Sequence, residues 1–272
     1  MTSLNVKLHP AQLEIFNEPH RFKVVAAGRR FGKSRLAAWL LLIKALQNQD
    51  PNKYIFYVAP TFQQAKDILW GLLKEIGHEV IASAYENTAV LTLINGSKIA
   101  LKGSDRPDTL RGVGLAYCVI DEYADMKPSV FEQILRPALA DVKGDCLFIG
   151  TPKGRNHFYE IYNYAEEEKD PEWCSFHFTS FDNPFLDPKE IEAARKSMSS
   201  FAFRQEFMAS FEAAASEVFK EEWLKYEEKE PEEGDYYMAV DLAGFEDVAS
   251  ETSSKKKRLD QTALALVKVN EQ

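Results

Sequence analysis

The stretch AAGRRFGKS, residues 26–34, decides how the rest of the chain is read. It grows out of RFKVVAA (21–27), a β-branched apolar run that predicts a buried strand, and it opens a helical pattern from Lys33 to Asn48. A Gly-x-x-x-x-Gly-Lys-Ser/Thr run between a strand and a helix is a phosphate-binding loop. Ala27 holds the first position here, and Gly28, Arg29, Arg30, Phe31, Gly32, Lys33 and Ser34 follow. Alanine departs from the pattern, but a small side chain is enough at that point. Gly32 lets the backbone come close, so successive N–H groups can face phosphate. The helix start adds its positive end. Lys33 is placed to reach the β- and γ-phosphates, and Ser34 offers a hydroxyl to Mg²⁺. Arg29 and Arg30 are bulky for so tight a loop. From the residues alone, their role there stays open.

Working outward, NKYIFYVAP (52–60) predicts a second strand, and Thr61 can cap a helix running to about Gly77. TAVLTLINGSKIALKGS (88–104) holds two alternating runs around Asn95-Gly96, a hairpin signal. AYCVIDE (116–122) predicts a buried strand, Pro128–Ala140 a helix, and DCLFIGTP (145–152) another strand. Residues 155–168 read as helical and EWCSFHFTS (172–180) as extended. Asp187-Pro188 starts a helix to about Met198, and FRQEFMASF (203–211) forms a short one. Strands alternating with helices predict an α/β fold whose central sheet is mainly parallel. The acidic stretch EEKEPEEGD (227–235) reads as a linker. Beyond it, YYMAVDLAG (236–244) and TALALVKVN (262–270) are two strands around a polar loop, too few to make a stable domain alone.

Bulk composition sets limits. The chain has 272 residues, 45% of them hydrophobic and 28% charged, which is ordinary globular usage. No run approaches the roughly 18 uncharged apolar residues of a membrane span. The N-terminal residues lack a basic start and an apolar core, so no signal peptide is expected. Cys118, Cys146 and Cys174 sit apart among apolar residues and are expected to be reduced core residues. The net charge of −9 argues against a broad basic surface for nucleic acid. It leaves room for a local groove, because many of the acids are clustered.

A phosphate loop that supports hydrolysis needs acids on a second strand. YCVIDE supplies them: Asp121 would hold Mg²⁺, directly or through water, and Glu122 would orient and deprotonate the attacking water. A lone Asp-Glu after a strand is more often a helix cap. Downstream of such a loop the pair points to an ATPase of the ASCE, RecA-like kind. Thr151 ends the next strand, where a hydroxyl can sense the γ-phosphate. The expected cofactors are therefore ATP and Mg²⁺.

In this order the motifs resemble those of the large terminase subunit of tailed bacteriophages, the ATPase that drives DNA into a procapsid. LHPAQLEIF (8–16) resembles the upstream adenine-contacting motif, with Gln12 its glutamine. AAGRRFGKS resembles the family's Walker A, where an arginine in the loop is characteristic; the resemblance implies that Arg29 or Arg30 contacts phosphate, with a surface ion pair for the one not used. YCVIDEYADM (117–126) resembles Walker B, and IGTPKGRNHFYE (149–160) the coupling motif carrying Thr151. Arg111 falls where several members carry an arginine finger that acts on the neighbouring subunit. VDLAG would open an RNase-H-like nuclease, with Asp241 the first metal-binding carboxylate. The resemblance implies an ATPase domain over 1–226, with a helical linker subdomain from about 181. An acidic linker (227–235) and the two-stranded start of a nuclease (236–272) follow, the latter expected to be inactive. It also implies double-stranded DNA, a portal protein and a small terminase subunit as partners. Assembly as a homo-oligomeric ring on the procapsid in the host cytoplasm follows from the same comparison.

Lys102, Arg106, Lys153 and Arg155 are the candidate DNA contacts, each able to meet phosphate without reading bases. Two other readings compete. A helicase-like translocase shares the acid pair but needs a second RecA-like domain. A nucleotide-binding module without turnover has no use for Glu122.

Overall fold

In the computed structural model, residues 5–167, 170–212, 235–241 and 263–269 are described. They fall into two units, Met1–Ala214 and Ala215–Gln272, taken separately below.

The first unit opens with α1 (Pro10–Asn17). His9 caps it through a reciprocal pair of bonds with Gln12, and Pro10 takes the first helical turn. β1 (Phe22–Ala27) is buried along its whole length, and the loop after it leads into α2 (Lys33–Gln47). β2 (Tyr54–Ala59) follows. Thr61 then caps α3 (Phe62–Ala65), which passes through a π-turn at Lys66–Trp70 into α4 (Gly71–Ile76). β3 (Ile81–Tyr85), β4 (Val90–Leu93) and β5 (Lys98–Gly103) form an antiparallel meander. The expected hairpin at Asn95-Gly96 joins β4 to β5, with Gly96 at φ +84°. β6 (Leu115–Asp121) leads to α5 (Pro128–Val130), a second π-turn at Phe131–Leu135, and α6 (Arg136–Ala140). β7 (Asp145–Gly150), α7 (His157–Glu166), β8 (Trp173–Phe178), α8 (Pro188–Ser197) and α9 (Ser200–Met208) complete it.

The eight strands form one sheet in the order β3-β4-β5-β2-β6-β7-β1-β8. From β5 to β8 every neighbouring pair is parallel. The mainly parallel sheet is therefore as expected, with an antiparallel margin at β3 and β4. The central strands are apolar on both faces because helices cover both faces. Val25, Ala27, Tyr57, Val119 and Ile149 share one cluster with Leu36, Leu40 and Leu41 of α2. The alternate residues Val24, Ala26, Phe56, Ile120 and Phe148 pack with Leu135, Leu139 and Phe158. Cys118 and Cys146 are buried opposite each other on β6 and β7, and Cys174 is half-buried on β8.

β7 lies between β1 and β6, so the phosphate loop and the acids end non-adjacent strands with one strand between them. The parallel strands point the same way. Their C-terminal ends therefore bring the loop after β1, Asp121 after β6 and Thr151 after β7 to one edge, the crevice where open α/β sheets bind ligands. One boundary differs from the sequence reading. β6 stops at Asp121, and Glu122 has already turned into the left-handed region at φ +52°.

In the second unit, β9 (Asp235–Asp241) and β10 (Ala263–Val269) pair antiparallel, with Asp241 opposite Ala263. Of the expected linker (227–235) only Asp235 is described, as the first residue of β9, and the end of the linker subdomain (213–226) lies outside the described residues. Among the described residues no helix is long and apolar enough to cross a membrane.

Candidate nucleotide-binding site

The loop after β1 is anchored from outside itself. Gly28 N–H donates to Phe178 O (3.0 Å), and Arg29 N–H donates to Glu206 O of α9 (2.7 Å). Ser180 Oγ donates to Arg29 O (2.6 Å), and Asn183 Nδ2 to Arg30 O (2.6 Å). Beneath the loop, Gln12 Nε2 donates to Gly32 O (2.8 Å) and His9 Nε2 lies 2.9 Å from Phe31 O. These bonds use up carbonyls and so fix the loop's shape. Glycine is required at two points. A Cβ on Gly28 would collide with Phe207 O and Ser180, and Gly32 sits at φ +101° against the Gln12 amide.

Lys33 curls back over the loop. Its Nζ donates to Thr151 Oγ1 (2.8 Å), Ala27 O (3.1 Å) and Gly28 O (3.4 Å), and lies 3.8 Å from Glu122 Oε1. Thr151 N–H donates to Glu122 Oε2 (3.1 Å), and Glu122 N–H to Ile149 O (2.8 Å). Lys33, Glu122 and Thr151 thus form one bonded cluster drawn from three strand ends. Asp121 lies behind it, almost fully buried. The Tyr57 hydroxyl donates to its Oδ2, while Oδ1 is buried without a hydrogen-bond partner among the described residues. Burial, and secondarily the negative charge of Glu122, push the Asp121 carboxyl up to about 6.

The two loop arginines separate here. The Arg29 guanidinium is bonded to the Glu206 carboxylate. Arg30 is held at φ +63° and has no ion pair among the described residues. A cavity of about 910 Å³ opens over the loop, lined by Arg29, Arg30, Lys33, Ser34, Glu122 and Thr151 among others. An adjoining one of about 690 Å³ is bordered by Leu8, His9, Gln12, Phe31 and Phe185. Phe185 borders both and is 84% exposed. A polar cavity beside a more apolar one matches a triphosphate joined to a flat base. The donors also suit Mg²⁺, a hard cation that takes oxygen ligands. The fit rests on the unpartnered Asp121 Oδ1, which is buried next to Glu122 and is not itself part of the cavity wall, with Ser34 in that wall.

Several expected residues stand elsewhere or are already engaged. Gln12 borders the second cavity, but its amide is bonded at both ends, to Gly32 O and from His9 N–H (3.1 Å). Arg111 is absent from the lining of the first cavity; it is exposed, 3.7 Å from Asp108. Lys153 is paired with Asp125 at 2.6 Å. Arg155 stacks on the Tyr159 ring, and Lys102 is half-buried over Phe56. Arg106 is exposed on the loop after β5. The side chain of Asp241 lies outside the described set. Sequence reasoning missed Tyr57, Ser180, Asn183 and Glu206. Tyr57, Ser180 and Glu206 lay in segments already read as strands or helix but were given no role there, and Asn183 lay between such segments. Away from the site, Glu18, His20 and Cys174 offer ligand atoms within 4.8 Å of one another. Glu18 is already 2.5 Å from His20, and the nearby Lys23 ammonium adds positive charge.

A glycine-lysine-serine loop after β1, acids on β6 and an intervening β7 together define a P-loop NTPase core with the extra strand. Comparison with known proteins narrows this. Residues 24–226 match the family model described as terminase large subunit, T4likevirus-type, N-terminal, and the chain belongs to that family. The large terminase subunit of Escherichia phage T5 is 35% identical over 206 residues, covering 74% of this chain and 46% of that protein. The large terminase ATPase domain of Thermus phage P74-26 superposes with a TM-score of 0.68 at 27% identity, over 75% of this chain and 94% of that one. The large terminase of another thermophilic bacteriophage, solved with ADP, shares the fold at 17% identity and a TM-score of 0.66, over 87% of this chain and 62% of that one. The chain spans about half the length of the curated relatives it matches.

Proposed function

We propose that the first unit binds ATP with Mg²⁺ and hydrolyses it, and that this hydrolysis moves double-stranded DNA into a procapsid. The observation that carries the reading is the bonded cluster of Lys33, Glu122 and Thr151 beside the buried Asp121. Each has a part in the chemistry. Lys33 exchanges its bonds to neutral loop oxygens for bonds to phosphate, which are stronger because the acceptor is charged. Ser34 and Asp121 would hold Mg²⁺, whose charge would offset that of the phosphate oxygens. Glu122 orients the attacking water and takes its proton. Thr151 bonds both Lys33 and Glu122, so it can report the state of the γ-phosphate to the loop after β7. Gln12 braces the loop and borders the base cavity.

Arg30 contacts phosphate directly in this account, and Arg29 exchanges Glu206 for phosphate when nucleotide binds. Arg111 acts on the site of a neighbouring copy in a ring. Its exposure and its absence from its own cavity support that role. A finger of this kind supplies about 10³–10⁵ in rate. Lys102, Arg106 and Arg155 are proposed to meet DNA phosphates, with Lys153 held back by Asp125. Asp241 is proposed as the first carboxylate of a nuclease metal site. Family membership supports portal protein and small terminase subunit as partners, and the host cytoplasm as the place of action. Steady-state phosphate release tests the core of the reading. ATP should turn over, at a rate per chain that rises with protein concentration if Arg111 acts between copies. A rate per chain independent of concentration would rule out that arrangement.

A further inference from the structure

Asp121 has two carboxylate oxygens, and the fold treats them differently. Oδ2 accepts a hydrogen bond from the Tyr57 hydroxyl. Oδ1 is buried and has no hydrogen-bond partner among the described residues, the neighbouring Glu122 N–H being committed to Ile149 O (2.8 Å). Tyr57 comes from β2, the strand beside β6, where it stands opposite Val119. Its side chain is fully buried in the cluster that holds Leu36, Leu40 and Val119. A ring packed in this way has little freedom, so its hydroxyl is a fixed donor.

The terminal torsion of an aspartate is broad and roughly two-fold. Left alone, the Asp121 carboxylate could present either oxygen, or its edge, to the site. A donor fixed on Oδ2 removes that freedom and leaves Oδ1 as the oxygen available for another partner. We propose that Tyr57 is a positioning residue for the divalent ion: it holds Asp121 so that Oδ1 faces the metal of bound nucleotide. This rests on the Mg²⁺–ATP reading above. The alternative is that the bond merely satisfies a buried hydroxyl. Tyr117, in the same sheet and the same cluster, argues against that. Its hydroxyl is buried with no hydrogen-bond partner among the described residues, so this core accepts an unpaired phenol. The Tyr57 contact also ends on an acid buried at the nucleotide edge of the sheet, which packing alone does not require. Outer-shell donors of this kind typically change metal affinity by 10–100-fold when removed.

Tyr57→Phe keeps the ring and removes only the donor. The readout is equilibrium binding of a non-hydrolysable ATP analogue, measured once in EDTA and once in Mg²⁺. Their ratio is the part of the affinity that the ion contributes. Tyr57→Phe should lower that ratio about tenfold and leave the affinity in EDTA and the melting temperature close to wild type. Asp121→Asn should lower the ratio at least as far, and adding Tyr57→Phe to it should change the ratio no further. An unchanged ratio in Tyr57→Phe overturns the proposal. So does a fall in affinity that is equal in EDTA and Mg²⁺, or a collapse of the melting temperature, since each marks a packing role. If wild type binds no nucleotide in either condition, the nucleotide-site reading itself falls, a result distinct from failure of Tyr57 alone.

Discussion

The loop after β1 leaves a strand buried throughout, the turn after β6 leaves one buried at all but Ala116, and each holds one non-glycine residue in the left-handed region, Arg30 and Glu122. Such a conformation costs about 1–2 kcal/mol, and cores keep it only where neighbours enforce it. The neighbours differ. The loop is tied at Gly28, Arg29, Arg30 and Gly32 by bonds from the segments around β8, α9 and α1. Its cations rest on protein oxygens: Lys33 on carbonyls and Thr151, Arg29 on Glu206. After β6 the acids are closer to bare, with Asp121 buried beside Glu122 and one of its oxygens unpartnered among the described residues. One region thus holds cations on oxygens that phosphate can replace, and the other holds anions that a metal can satisfy. Under the proposed function, a site built this way gains most when phosphate and metal arrive together.

Breaking the cation side should have the largest effect. Lys33→Ala removes the ammonium that ties the loop to Thr151. It should cut ATP turnover by about 10³-fold or more, since charge stabilisation at a transferring phosphoryl group is the dominant catalytic term. Steady-state phosphate release checks it, and turnover within a few-fold of wild type would remove Lys33 from the site.

The acid side should show itself in stability. Asp121 titrates near 6 in the folded chain, above its usual 3.8. An acid raised in this way favours the folded state while protonated. That contribution is full below about pH 4 and is lost as pH rises through about 6. Asp121→Asn escapes the loss. Without nucleotide it should be more stable than wild type by about 1–3 kcal/mol near neutral pH, with the gap closing toward about pH 4. Thermal melts at both pH values check this, and a variant less stable at neutral pH contradicts it. The smallest effect concerns Arg29. Glu206→Gln weakens its resting partner and should tighten ATP binding a few-fold, about 1 kcal/mol for a charge-assisted contact of this exposure. Equilibrium titration decides it, and weaker binding would make Glu206 a brace rather than a competitor.

Much of this contrast was legible beforehand. The periodic strands, the Asn95-Gly96 turn and the loop pattern are local signals, and each appears in the structure where its chemistry requires. The acids were legible because they end an apolar strand. β3 escaped notice because ASAYEN is polar and half-exposed, so alternation there is weak. The π-turns at Lys66–Trp70 and Phe131–Leu135 leave no mark on a helical pattern. Arg29 and Arg30 could not be told apart because the choice is made by Glu206, distant in sequence and delivered by α9. Tyr57 was hidden for a similar reason. In YIFYVA it reads as one more core aromatic, and only the β2–β6 register brings its hydroxyl to Asp121.

The central claim is that the cluster at the ends of β1, β6 and β7 hydrolyses ATP, with Glu122 as the base. The direct measurement compares ATP affinity and steady-state turnover for wild type and Glu122→Gln. The account predicts similar affinity and a turnover lower by about 10²–10⁴-fold in the variant. Equal turnover in the two proteins, or no turnover by wild type at saturating ATP and high protein concentration, would contradict it.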